Sequence, residues 1–174
     1  MTQRIIFQND DGGVLVIIPS LEALEQYGID EIARKDVPTG KPYKIVDAAD
    51  VPTDRTFRAA WEADMTDPHG EGVGSRAWFI EQYEAKIASI NAEAAPAAPE
   101  TLVAAFKEQA GFPDNFTPEQ IDAAYDDLVA QVAALNEQNT AAHAEAVAQW
   151  EASKAARIAQ LNAQIATQQA EMTA

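Results

Sequence analysis

An α+β fold is predicted by three features of this chain. Two apolar, β-branched runs flank a dense turn near the start. A third such run follows a helical segment. From residue 117 onward the chain reads as one long helix.

The first run is Arg4-Ile5-Ile6-Phe7-Gln8 and the second is Val14-Leu15-Val16-Ile17-Ile18, with Asn9-Asp10-Asp11-Gly12-Gly13 between them. That order predicts a β-hairpin. Pro19 ends the second strand. Ser20 can cap a short helix from Leu21 to about Tyr27, and Gly28 can stop it. Ile29 to Lys35 gives a further helical turn with Ile29 and Ile32 facing inward. Val37 to Pro42 is loop, and Tyr43-Lys44-Ile45-Val46-Asp47 is a third strand. Asp50 or Thr53 then starts a helix that carries Phe57 and Trp61 on one face, four residues apart. Those two aromatics are expected to pack on the third strand through Tyr43 and Ile45, and Arg55 to pair with Asp47 or Asp50. The expected head is thus a small three-stranded antiparallel β/α unit, residues 1–75.

Residues 65–75 are loop. Ser75 can cap a connecting helix, residues 76–95, with Trp78, Phe79, Tyr83, Ile87 and Ile90 roughly on one side. Residues 96–116 hold a Pro/Ala linker and a short helix from Thr101 to Ala110, with Leu102, Val103 and Phe106 inward and Gly111 closing it. The two linker prolines favour an extended spacer. Residues 117–174 are the long helical packing segment. Thr117-Pro118-Glu119-Gln120 is its start signal: a hydroxyl cap, a proline that needs no N–H partner, and a glutamine placed to close a capping box. No glycine follows, and a helix of about 55 residues would be roughly 80 Å long.

No clean heptad runs through that helix. Leu128, Val132 and Leu135 fit one frame; Val147, Trp150, Ile158, Leu161 and Ile165 fit another. An eleven-residue step fits better, with Tyr125, Asn136, Val147 and Ile158 in one row and Leu128, Asn139, Trp150, Leu161 and Met172 beside it. Such a period suits a nearly straight or slightly right-handed bundle. The polar stretch Asn136-Glu137-Gln138-Asn139-Thr140 leaves a helical hairpin open as the alternative to an unbroken rod or coiled coil. Val147, Trp150, Ile158, Leu161 and Ile165 form the most apolar stripe and are the expected partner-binding residues.

The chemistry on the chain is thin. Among 174 residues, 28 acids face 12 lysines and arginines, for a net charge of −16. That balance argues against a nucleic-acid backbone and against an anionic membrane surface. There is no cysteine, so disulfides and thiolate chemistry are excluded. No charged segment leading into a long apolar run opens the sequence, so a signal peptide is not expected. Asp67, His69 and Glu71 carry metal-ligating atoms but read best as a polar, glycine-rich loop. His143 has no second histidine at helical spacing. Asp10-Asp11-Gly12-Gly13 lacks the alternating oxygens of a calcium loop, and the glycines at 70, 72 and 74 precede no phosphate-binding lysine. Ser20, Ser75 and Ser89 have no base placed by any motif. The expectation is no enzyme, with no catalytic, cofactor or metal site.

Two stretches carry a family resemblance. Gly40-Lys41-Pro42-Tyr43-Lys44-Ile45-Val46-Asp47, followed by Val51-Pro52-Thr53-Asp54-Arg55-Thr56-Phe57-Arg58-Ala59-Ala60-Trp61-Glu62, resembles a segment of small tail-associated proteins of tailed bacteriophages. So does the start, Arg4 to Gln8 through Val16 to Pro19. The likeness covers about residues 1–80. It implies a tail component whose head attaches a tail-fibre or baseplate protein, in the virion tail and, during assembly, in the host cytoplasm. It implies other tail or fibre proteins as partners. The long helix itself points to a homo-oligomer, for which a trimer would match threefold fibres. The alternative it implies is a fibre-assembly chaperone not retained in the particle. It brings no catalytic residue with it.

Overall fold

The computed structural model describes residues 2–54, 56 and 60–173. Its elements run β1 (Gln3–Gln8), β2 (Val14–Ile17), α1 (Leu21–Asp36), β3 (Pro42–Asp47), β4 (Gly70–Glu71), α2 (Ser75–Asn91) and α3 (Pro118–Met172). The fold is α+β, as the sequence predicts. The chain divides into two compact units, one of residues 1–87 with 161–174 and the other of residues 88–160.

The first unit holds an antiparallel sheet in the order β2-β1-β3-β4. The expected three strands are present, and β4 adds a fourth through the pairs Pro42↔Glu71 and Tyr43↔Gly70. The register Ile5↔Ile17 and Phe7↔Leu15 on one side of β1, and Ile5↔Ile45 and Phe7↔Tyr43 on the other, puts these six side chains on one face. Here α1 packs, and Ile5, Phe7, Ile32, Ala33, Val37 and Tyr43 form the core. Burial pushes the Tyr43 phenol above its ordinary value, and the nearby Asp30 charge acts in the same direction.

Local sequence accounts for α1. Ser20 Oγ accepts from the Ala23 N–H at 3.1 Å, which satisfies one of the free donors of the first turn. The two expected helical pieces are joined across a kink at Gly28, whose φ of 74° lies in the region that favours glycine.

The opposite face of the sheet carries Ile6, Val14, Val16 and Val46. With Trp61, Val51 and Pro52 they line a cavity of about 230 Å³. This corrects one expectation. Trp61 is half-buried and lies on this second face, not against Tyr43 and Ile45. Helix is absent from residues 51–54 and 61–64; the Asp54 carboxylate instead accepts from the Thr56 N–H at 2.9 Å and from its hydroxyl at 2.6 Å, closing a local turn. Arg55 and Phe57, on which other parts of that expectation fell, lie outside the described residues.

On α2, Trp78 is 5% exposed. Its indole N–H donates to Glu31, and its ring meets Tyr27 edge-on at 5.7 Å and Phe79 at 5.2 Å. Arg76 Nη1 donates to the Glu171 carbonyl at 2.8 Å, which ties the start of α2 to the last turn of α3 within this unit.

Unbroken over 55 residues, α3 excludes the helical hairpin. Its start is the expected capping box: the Thr117 N–H donates to Gln120 Oε1 at 2.8 Å, and the Gln120 N–H to Thr117 Oγ1 at 3.3 Å. The expected helix from Thr101 to Ala110 is not formed. Residues 93–106 are without helix or strand, and only a 3-10 turn, Lys107–Gln109, follows. Leu102, Val103 and Phe106 are 44%, 85% and 72% exposed, so they do not face inward.

Candidate functional site: the stripe of α3 and its strap

The covered positions of α3 recur every eleven residues. Ile121, Val132, His143, Lys154 and Ile165 form one row, Tyr125, Asn136, Val147 and Ile158 a second, and Leu128, Trp150 and Leu161 a third. Eleven residues over three turns is close to the natural period of the helix, so the stripe stays nearly straight along the rod. Leu161 is the one buried residue of α3 among those described, at 8% exposure within the first unit; the others are only half-buried. Of the five expected partner-binding residues, Leu161 is therefore occupied inside its own chain. Val147, Trp150 and Ile158 in the second unit, and Ile165 in the first, keep part of their surface free.

In the second unit an extended strap, residues 92–106, lies on this stripe. Its hold is polar. Asn136 grips the backbone of Leu102 with both ends of its amide: the Leu102 N–H donates to Oδ1 at 2.8 Å, and Nδ2 donates to the Leu102 carbonyl at 2.9 Å. The guanidinium of Arg157 forms two hydrogen bonds to the Glu93 carboxylate, at 2.7 and 2.9 Å. Just before the strap, Lys154 Nζ donates to the carbonyl of Asn91, the last residue of α2, at 2.9 Å and sits 4.8 Å from the centre of the Trp150 ring. Lys107 pairs with Asp122 beyond the strap.

These tethers explain why no helix forms at Leu102. From Asp122 to Asn136 the helix rises about 21 Å. The chain from Leu102 to Lys107 would rise only about 7 Å if helical but reaches about 17 Å when extended. From Glu93 to Leu102 the extended chain reaches about 30 Å, close to the roughly 31 Å between Arg157 and Asn136. Asn136 also occupies the Leu102 carbonyl, which a helix would need for the Phe106 N–H. Chain length and tether spacing thus override the local helix propensity of Leu102 to Lys107.

The eleven-residue row pointed to this clasp. Asn136 falls in register with Tyr125, Val147 and Ile158, so a polar group stands in an apolar row. Only tertiary structure reveals the backbone it holds.

The bidentate Arg157 hydrogen bonds keep the Glu93 carboxyl below its ordinary value, with the charges of Arg157 and Lys154 acting in the same direction. A folded-state value below the unfolded one means that this contact stabilises fully above the unfolded value, and that its contribution fades as pH falls through the folded one. A carbon-detected NMR titration should therefore place the Glu93 midpoint below those of exposed glutamates. Arg157→Gln should bring it back among them; an unchanged midpoint would remove Arg157 as the cause.

Other sites carry less. The His69 N–H donates to the Tyr43 carbonyl at 2.9 Å, and its Nδ1 accepts from the Ile45 N–H at 3.3 Å, so the imidazole covers β3 beyond the end of β4. It is thereby engaged with backbone, not with Asp67 or Glu71. Among the described residues no group of three or more His, Asp and Glu could hold a metal ion. None of the described helices is long and apolar enough to cross a membrane. No protein-family model, curated protein or solved structure matches the chain.

Proposed function

We propose that this chain is a non-enzymatic assembly protein of a bacteriophage tail. Its sheet-bearing head attaches a tail-fibre or baseplate component, and α3 packs against further helices, including those of other copies. One observation carries the packing role: a 55-residue helix bears an apolar stripe that its own chain leaves half-covered along most of its length. Half-exposed Val147, Trp150 and Ile158 lose solvent-exposed apolar surface only when another surface covers them. The tail assignment rests on the resemblance of residues 1–80, and the acidic balance fits a partner that presents basic groups.

Sedimentation velocity tests the packing role. The wild-type protein is expected to sediment as an oligomer, and Trp150→Ala with Ile158→Ala to weaken association at least tenfold at unchanged helicity. A fully helical wild-type monomer at high concentration would defeat it. For the tail assignment, peptides of this chain should occur in purified particles in fixed ratio to a fibre protein. Their absence, beside abundance in infected cells, would favour the assembly chaperone.

A further inference from the structure

We infer that the outer edge of β2 is a docking site for an extended, basic segment of a partner protein, which adds a strand to the sheet of the head. The inference deepens the attachment role proposed for the head and rests on it for the existence of a partner. It starts from the main chain. The Gly12 N–H donates to the Asn9 carbonyl at 3.1 Å and the Asn9 N–H to the Gly13 carbonyl at 2.7 Å, which closes the hairpin turn. Hydrogen-bonded and non-bonded pairs alternate along an antiparallel ladder. Counted from Asn9 and Gly13, Phe7↔Leu15 and Ile5↔Ile17 exchange main-chain bonds, while Gln8↔Val14 and Ile6↔Val16 do not. On the other side of β1 the Ala48 N–H donates to the Thr2 carbonyl at 2.8 Å, so Arg4↔Val46 and Ile6↔Lys44 are the bonded pairs with β3. Ile5 and Phe7 thus serve β2, and Ile6 serves β3. The N–H and C=O groups of Val14 and Val16 point away from β1. In the order β2-β1-β3-β4 no strand lies beyond them, and among the described residues no turn or loop main chain bonds them.

Nothing within the strand blunts this edge. Val14-Leu15-Val16-Ile17-Ile18 holds no charge and no proline, and its register with β1 runs without a bulge. Edge strands are ordinarily guarded by such features or by being very short. The opposite edge is guarded: β4 has two residues and ends on exposed Glu71. A row of main-chain donors and acceptors at strand spacing is matched by another extended backbone. The surroundings indicate its side chains. Val14, 6% exposed, and half-buried Val16 wall the cavity of about 230 Å³ that Trp61 also lines. That volume falls short of the roughly 300–1,000 Å³ of small-molecule pockets. It suits a side chain of an added strand, whose alternate residues stand on that face. Ile18 and Leu21, 55% and 79% exposed, extend the apolar surface past the end of β2. Charge decides the source of the segment. A net −16 on each chain opposes a second copy and favours a partner with basic groups. Asp50 and Glu62 line the cavity and exposed Asp11 stands at the turn, while Arg4 lies at the Ile18 end.

The probe is the peptide acetyl-Lys-Val-Thr-Val-Thr-Val-Lys-amide, and the readout is amide hydrogen exchange along β2 in the full chain. In the free protein the Val16 amide should exchange at least tenfold faster than those of Leu15 and Ile17, which β1 holds. Peptide at about 1 mM should slow Val16 at least twofold, the factor for a site half-filled at that concentration. N-methylation of the peptide's valines strips one of its edges of donors, and N-methylation of its threonines strips the other. One of the two should lose the effect and the other keep it. Glutamate in place of both lysines should weaken it. Val16→Lys, which charges the strand, should abolish it at unchanged circular dichroism; the methylated pair decides the matter even where that variant fails to fold. A Val16 amide as protected as Leu15 in the free protein at every concentration would overturn the inference, because the chain itself would cover the edge. Protection that grows with protein concentration alone would overturn the choice of partner in favour of a second copy. Equal action of both methylated peptides would overturn strand addition. A Val16 amide untouched by any peptide, in a chain still found in particles beside a fibre protein, would overturn the edge site and leave the attachment role standing. The expected peptide response in a chain absent from particles would support the edge site and sink the tail assignment instead.

Discussion

Truncation of Ile32 to alanine is expected to destabilise the first unit by about 2–5 kcal/mol, the range seen when a buried aliphatic side chain leaves a cavity. Ile32 is 2% exposed and belongs to the cluster that joins α1 to Ile5, Phe7 and Tyr43. Urea unfolding should show a lower midpoint at unchanged slope. Trp61 supplies the contrast. Read from sequence as core, it would cost about 3–5 kcal/mol on truncation. Half-buried beside a cavity of about 230 Å³, it already lacks part of its packing, so Trp61→Ala should cost less than Ile32→Ala. If Trp61→Ala proved the more damaging, the second face of the sheet would be the principal core.

The same pair of residues shows what the sequence carried and what it did not. Turn residues, the Ser20 cap and the Thr117–Gln120 box announce their structures locally, because the interactions they make span only a few residues. The hairpin, α1 and the start of α3 were therefore legible. Which way each strand faces was not. Ile5-Ile6-Phe7 and Val14 to Ile17 are apolar at every position, and their side chains on both faces of the sheet are at least half-buried, so there is no alternation to read. Trp61 was accordingly assigned to the wrong face. In α3 the polar stretch suggested a break, yet each poor helix former costs only about 0.7 kcal/mol or less. Thr140 satisfies its hydroxyl within the helix by donating to the Asn136 carbonyl at 2.8 Å, and Asn136 spends its amide on the strap. The strap was illegible for a further reason: its conformation is set by distances between tethers far apart in sequence. The eleven-residue row was visible, but not what would cover it.

The other large effect is expected at Gly72, in a segment that reads as a featureless loop. Gly70, Gly72 and Gly74 alternate in what the sequence offers as a polar, glycine-rich loop, but the structure uses each for close approach. A Cβ at Gly70 would meet the Tyr43 hydroxyl at 2.8 Å, and one at Gly74 would meet Thr39 Oγ1 at 2.9 Å. At Gly72 the neighbour is backbone: a Cβ would lie 2.2 Å from the Val37 carbonyl oxygen and 2.6 Å from its carbon. A rotamer change cannot relieve that clash. The surrounding chain is also poorly placed to move. The Gly72 N–H donates to the Lys41 carbonyl and the Gly40 N–H to the Gly72 carbonyl, both at 2.9 Å; the Val73 N–H donates to Arg34 at 2.8 Å and the Gly74 N–H to Val37 at 3.1 Å. Residues 72–74 thus fasten the end of α1 and the start of β3 to the entry of α2. Gly72→Ala must push this segment off Val37, which is 0% exposed, and break several of these bonds together. The expected loss is about 3 kcal/mol, the upper part of the range for overpacking a close-packed site. Exposed Glu71 is the control: Glu71→Ala one residue away should stay within about 0.5 kcal/mol. Hydrogen exchange adds a local readout, since the amides of Gly40, Val73 and Gly74 should lose protection together in Gly72→Ala. Retained protection with unchanged stability would mean that the 72–74 segment does not hold α1, β3 and α2 together.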